Sequence, residues 1–185
     1  MEISGWQFDF ASLPRWDMRE RDAYIEDILT ENALSDTACL LYSITEASMM
    51  NFVGCLALFR NKAHPELVSN VHTIRFPRQE VVYSADGNLL FLNTRIDYRM
   101  LLVVIDLRSF CFSYVPVKTL SSCYTVEERS GQFVFCVDAH QAQHDKRLHR
   151  LEGKEIKIER LKWHPLSELN EFDKTIKRKH LLRRM

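Results

Sequence analysis

The densest group of chemistry-bearing residues lies at 138–149, DAHQAQHDKRLH, which holds Asp138, His140, His144, Asp145 and His149. His140 and His144 are four apart. On a helix that spacing sets both imidazoles on one face, where they could hold a metal ion. Beside Asp138 or Asp145 the same rings could form an acid–base pair for RNA cleavage. The flanking segments read as strands, so the histidines fall in the loop between them, where a four-residue spacing has no special meaning. A solvated polar loop is the expectation there.

The remaining candidates carry less. Asp106 and Asp138 end apolar strands, a place where a carboxylate more often caps the following turn than does catalysis. Cys39, Cys55, Cys111, Cys123 and Cys136 lie in apolar runs with no CxxC pair. Buried free thiols are expected, rather than a disulfide framework or a zinc site. Trp6, Trp16 and Trp163 sit in the terminal regions and read as anchors that pack those regions onto a sheet. The basic run KTIKRKHLLRRM, 174–185, could meet nucleic acid or an anionic membrane. However, Glu168, Glu171 and Asp173 precede it in the same predicted helix. That order suits the helix dipole, and the aromatic residues needed for base stacking are missing. The five glycines form neither GxGxxG nor GxxxxGK, and no GxSxG is present. No cofactor and no metal are expected.

The elements that must position these residues follow from composition and pattern. With 185 residues, 46% of them hydrophobic, the chain can bury one sizeable core, so a single domain over 1–185 is expected. Lys and Arg total 25, as do Asp and Glu, so the formal charge of +0 gives no overall pull toward nucleic acid or membrane. The start, MEISGWQFDF, lacks the basic-then-apolar pattern of a secretory signal. The longest strongly apolar run, 100–105, is far too short to span a bilayer. A cytoplasmic location without a membrane partner is expected.

The stretch 81–92, VVYSADGNLLFL, reads as a hairpin turning at Asp86-Gly87, a pair that tolerates the positive φ of a tight turn. Leu89, Leu90, Phe91 and Leu92 form an unbroken apolar run, which suits a strand buried on both faces. MLLVVIDL, 100–107, has the same character. In SFCFSYVPV, 109–117, Phe110, Phe112 and Tyr114 alternate with Cys111, Ser113 and Val115. Tyr42, Tyr83 and Tyr124 recur every 41 residues, each followed by a turn and an apolar strand: GCLALF, NLLFL and QFVFCV. The expected architecture is mainly β, with three antiparallel four-strand meander units over 38–161. The last two strands of the first unit fall near 67–70 and 71–76. Those of the third are RLHRL, 147–151, and EIKIER, 155–160. Helices are predicted at 17–31, from Tyr24, Ile25, Ile28 and Leu29, and at 166–184, from Leu169, Phe172 and Ile176.

SADGNLLFL followed by LLVVIDL resembles the inner strands of a β-propeller blade, and the likeness covers 81–117 best. It implies a pseudo-propeller or a twisted meander closed by the terminal helices. A looser resemblance, of size and absence of catalytic motif, is to bacterial toxin-immunity proteins. It implies a non-catalytic protein-binding module, a toxin-neutralising immunity protein or an adaptor. The alternatives are a small nuclease-like enzyme using His140, His144 and His149, or an RNA-binding protein using the basic tail.

Loops joining the second and third strands of such units should share one side of the fold. They are 60–65, 94–99 and 139–147. They carry Arg60, Lys62, Arg95, Arg99, Lys146 and Arg147 against Asp97 and Asp145, with His64, His140 and His144 adding charge at lower pH. Together with Tyr98 these bases are expected to meet a protein partner with an acidic surface. Oligomeric state is left open.

Overall fold

Turn chemistry and the apolar runs set the strands. The computed structural model describes residues 2–9, 21–46, 49–74, 81–96, 99–117, 124–137, 140 and 146–169. The chain begins with a short hairpin, β1 (Glu2–Ile3) and β2 (Trp6–Gln7). A first meander follows: β3 (Arg21–Asn32), β4 (Thr37–Glu46), β5 (Met49–Arg60) and β6 (Glu66–Ile74). The second meander is β7 (Val81–Tyr83), β8 (Leu89–Ile96), β9 (Arg99–Asp106) and β10 (Cys111–Val117). Next come the pair β11 (Tyr124–Arg129) and β12 (Gln132–Val137) and one helical turn, α1 (Lys146–His149). Finally β13 (His164–Pro165) returns to join β10. All the pairings are antiparallel. Among the described residues no helix is long and apolar enough to cross a membrane.

The second meander is the middle layer. Leu90 stands opposite Ile105, which stands opposite Phe112. These three, with Leu92 and Val103, pack against Cys39 and Leu58 of the first meander. One residue along, Phe91, Leu102, Val104 and Val117 face the other way and meet Val126, Phe135, Leu148 and Ile156. Both faces are therefore covered, which is why 89–92 and 100–105 are unbroken apolar runs rather than alternating ones. Each such side chain contributes roughly 1.5–3 kcal/mol by leaving water. The outer face of the first meander, at Ala38, Leu40, Ala57 and Phe59, is covered by Trp6 and Phe8. Trp163 packs against the β11–β12 side.

Several sequence expectations are corrected. Residues 21–31 of the predicted helix 17–31 lie in strand β3, which pairs with β4, and 17–20 lie outside the described residues. A register shift between Ile25 and Ile28 takes up Glu26 and Asp27, and this insertion gives a strand the i, i+3, i+4 apolar spacing of a helix. The two predicted strands at 67–70 and 71–76 are one strand, β6, through Ile74. In the third unit RLHRL is not a strand. Leu148 and Leu151 are three apart and both buried, the spacing of the helical turn α1 and its continuation. EIKIER holds one bridge, Glu155 to Val134, and then a 3-10 turn at Ile158–Arg160. The third unit thus has two strands, not four.

The interval of 41 residues does not mark equivalent positions. Tyr42 lies inside the second strand of its meander, Tyr83 ends the first strand of the next, and Tyr124 begins the first strand of the pair. Of the predicted helix 166–184, Leu166–Glu168 is a 3-10 turn, and 170–184 lies outside the described residues, as does Trp16.

Candidate functional site

Antiparallel meanders put alternate turns at the same end. Here the β3–β4, β5–β6, β7–β8 and β9–β10 turns meet at one end of the stacked sheets, and side chains lock them together. The β7–β8 turn is self-contained. Ser84 Oγ donates to Asp86 Oδ1 at 2.6 Å, Asn88 N donates to the same oxygen at 3.0 Å, and Asn88 Nδ2 donates to Oδ2 at 2.5 Å. Leu89 N donates back to Ser84 Oγ at 2.8 Å. These donors, Ser84 first, hold the Asp86 carboxyl at about 2, well below the usual carboxylate range.

The β3–β4 turn hangs on Asn32. Its Oδ1 accepts from Leu34 N at 2.8 Å and from Ser35 N at 3.3 Å. Gly87, with φ +70°, sits directly against it. A Cβ there would lie 2.8 Å from Asn32 Oδ1 and 2.9 Å from Leu34 Cβ. The β5–β6 turn joins through Asp36, whose Oδ1 accepts from Lys62 N at 3.0 Å and whose carbonyl accepts from Asn61 N at 2.9 Å. From the far side of the stack, Glu128 Oε2 accepts from Ala85 N at 2.9 Å. Asp106 caps the β9–β10 turn, accepting from Arg108 N at 2.9 Å and Ser109 Oγ at 2.8 Å. The expectation that Asp106 serves the turn is met.

Beneath the turns Tyr83 ties the two meanders. Its hydroxyl lies 3.4 Å from Thr37 Oγ1 and from Cys39 Sγ, and donates to Thr30 O at 3.5 Å. Burial pushes the Cys39 thiol up to about 12 and raises the Tyr83 hydroxyl far above its ordinary value. Cys39, 0% exposed, packs in the core between the two meanders, where its thiol is held protonated. What this end presents to solvent is Leu34, 74% exposed and the exposed large hydrophobic among the described residues, on a turn bonded by Asn32 and abutted by Gly87.

Of the seven residues expected to form one basic face, Arg60 and Lys62 stand at one end of the sheets and Arg95 and Arg99 at the other. Arg60 is paired with Glu66 at 2.8 Å and lies 5.4 Å from the centre of the Phe110 ring. Lys62 is paired with Glu31 at 3.1 Å and lies over Trp6. Both therefore stand at the turn-bearing end, matched by acids of the chain itself. Arg95 and Arg99 occupy the opposite end of β8 and β9, where Ile96 faces Arg99. Arg99 to Asp106 is the whole length of β9, about 23 Å at the usual rise of a strand. Tyr98 lies outside the described residues. Lys146 and Arg147 are exposed on α1.

His140 and His149 are exposed, while Asp138, His144 and Asp145 lie outside the described residues. No group of three or more metal-ligating side chains is found among the described residues. Of the thiols described, Cys39 is buried and Cys111 and Cys136 are partly exposed, all three free. The side chains of Cys55 and Cys123 lie outside the described residues.

Sequence reasoning missed Asn32, Leu34 and Asp36. The signal was present in NALSD, whose Asn, Ser and Asp are turn formers that bond their own backbone. Assigning the preceding segment to a helix hid it. No family model, no curated protein and no solved structure matches this chain.

Proposed function

We propose that this chain is a non-catalytic protein-binding module, of the neutralising or adaptor kind, and that its turn-bearing end meets the partner. The observation that carries this reading is Leu34. A lone exposed leucine is ordinary on a surface. This one sits on a turn fixed by Asn32, abutted by Gly87 and tied through Asp36 to the next turn. Ordering a loop on binding costs affinity, and here the loop is ordered beforehand. Binding residues are commonly carried on loops over a rigid sheet scaffold. Arg60 and Lys62 serve that scaffold through Glu66 and Glu31, so they do not call for an acidic partner.

The test is affinity capture from the source cells with three baits: the wild-type chain, Leu34→Asp, and a far-end variant with Arg95→Glu and Arg99→Glu. The wild type and the far-end variant should retain one stoichiometric partner, which Leu34→Asp loses. Retention by Leu34→Asp with loss by the far-end variant would move the binding surface to the other end and overturn the assignment.

A further inference from the structure

The amino-terminal hairpin is joined to the Leu34 turn by a short chain of contacts. Trp6, 1% exposed, donates its indole N–H to Glu31 Oε2 at 2.7 Å. The same oxygen accepts from Lys62 Nζ at 3.1 Å. Lys62 Nζ lies 5.9 Å from the centre of the Trp6 ring, and a Cβ on Gly5 would lie 3.3 Å from Lys62 Cε. Among the described residues, the hydrogen bonds between residues 2–7 and the first meander run through this one carboxylate. Glu31 precedes Asn32, which holds the Leu34 turn, and Lys62 N donates to Asp36, which closes it. Besides the apolar packing of Trp6 and Phe8 on Ala38, Leu40, Ala57 and Phe59, the polar contacts to the hairpin come from Glu31 and Lys62, the two residues whose backbones frame the exposed leucine. Both grips are open to water, with Glu31 43% and Lys62 44% exposed in their side chains, while the indole they hold is buried.

We propose that the amino-terminal hairpin is a strap that holds the Leu34 turn in its binding shape, acting through Glu31 and Lys62. A partner or modification that lifts the hairpin would loosen that turn and weaken binding at this end. This rests on reading the Leu34 end as the binding surface, but its test needs no partner.

Backbone and indole hydrogen exchange would be followed by NMR in the wild type, Glu31→Met, which removes the acceptor of the Trp6 indole and of Lys62 Nζ, and Lys62→Met. Both substitutions keep the size of the side chain, and neither residue is buried. Loss of a charge-assisted hydrogen bond corresponds to about a tenfold shift in a local opening equilibrium. The Trp6 indole N–H and the amides of Leu34, Ser35 and Lys62 should speed up together by about tenfold. Phe91 and Val104, in the middle layer, should keep their rates. A faster Trp6 indole with unchanged turn amides would show that strap and turn are independent, and would overturn the proposal. So would unchanged rates everywhere, or equal acceleration of Phe91 and Val104, which would report general destabilisation. If the coupling is found but Leu34→Asp still captures the partner, the strap stands and the location of the binding surface falls.

Discussion

Replacing Gly87 by alanine tests whether the turns at the Leu34 end are locked by close approach. Gly87 has φ +70° and Gly131 has φ +78°, so both occupy the left-handed region that penalises a Cβ. That conformational cost is about 1–2 kcal/mol. Loss of unfolded-state entropy offsets it by about 0.4–1 kcal/mol, equally at both positions. The surroundings differ. A Cβ on Gly131 meets nothing within 4 Å, whereas one on Gly87 meets Asn32 Oδ1 at 2.8 Å and Leu34 Cβ at 2.9 Å. Asn32 must then withdraw from the N–H groups of Leu34 and Ser35, each bond contributing about 0.5–1.5 kcal/mol. Gly87→Ala should therefore be less stable than Gly131→Ala by about 1–3 kcal/mol. With a urea slope of about 2 kcal/mol per molar, the midpoint of Gly87→Ala should fall about 0.5–1.5 M below that of Gly131→Ala. Coincident unfolding curves would refute the interlock.

Acid should act on the same turn. Asp86 titrates at about 2 when folded, against about 3.8 unfolded, so its contribution is complete above about pH 4 and is lost as pH falls toward 2. Urea midpoints between pH 5 and 2 should drop more steeply in the wild type than in Asp86→Asn, and parallel profiles would count against the network. Thiol labelling at pH 8 should modify Cys111 and Cys136 in the native state but reach Cys39 only on unfolding; rapid native labelling of Cys39 would contradict its burial. Tyr83→Phe should cost less than about 1 kcal/mol, because its hydroxyl contacts are long, 3.4–3.5 Å. A thermal or urea measurement giving several kcal/mol would show that the hydroxyl does more than tie β7 to the first meander.

The parts of the fold that could be read from the sequence are those whose causes are local. Asp86-Gly87 announces its own hairpin, and 89–92 and 100–105 announce strands covered on both sides. The helix expected at 17–31 failed because the register shift at Glu26 and Asp27 breaks the two-residue alternation of β3. The strand expected at 147–151 failed because Leu148 and Leu151, three apart in a short charged segment, fit a helical turn as well as a strand; at 155–160 the alternation of Ile156 and Ile158 reads as a strand, but pairing stops at the Glu155 bridge and a 3-10 turn follows. The interlocked turns at the Leu34 end were not legible at all. It depends on Gly87 meeting Asn32, Glu128 reaching Ala85 and Asp36 reaching Lys62, contacts between residues far apart in sequence. The bases at 60–62 and 95–99 are clustered only by composition, and the antiparallel meanders carry them to opposite ends.

The most direct test of the proposed binding surface is amide hydrogen exchange of the chain with a partner retained in the capture experiment, compared with the free chain. Protection should appear at Leu34, Ser35, Ala85, Gly87 and Arg108, with the 95–100 end and the helical turn Lys146–His149 unchanged. Protection confined to 95–100 or to 146–149, with none at the Leu34 turn, would contradict the account.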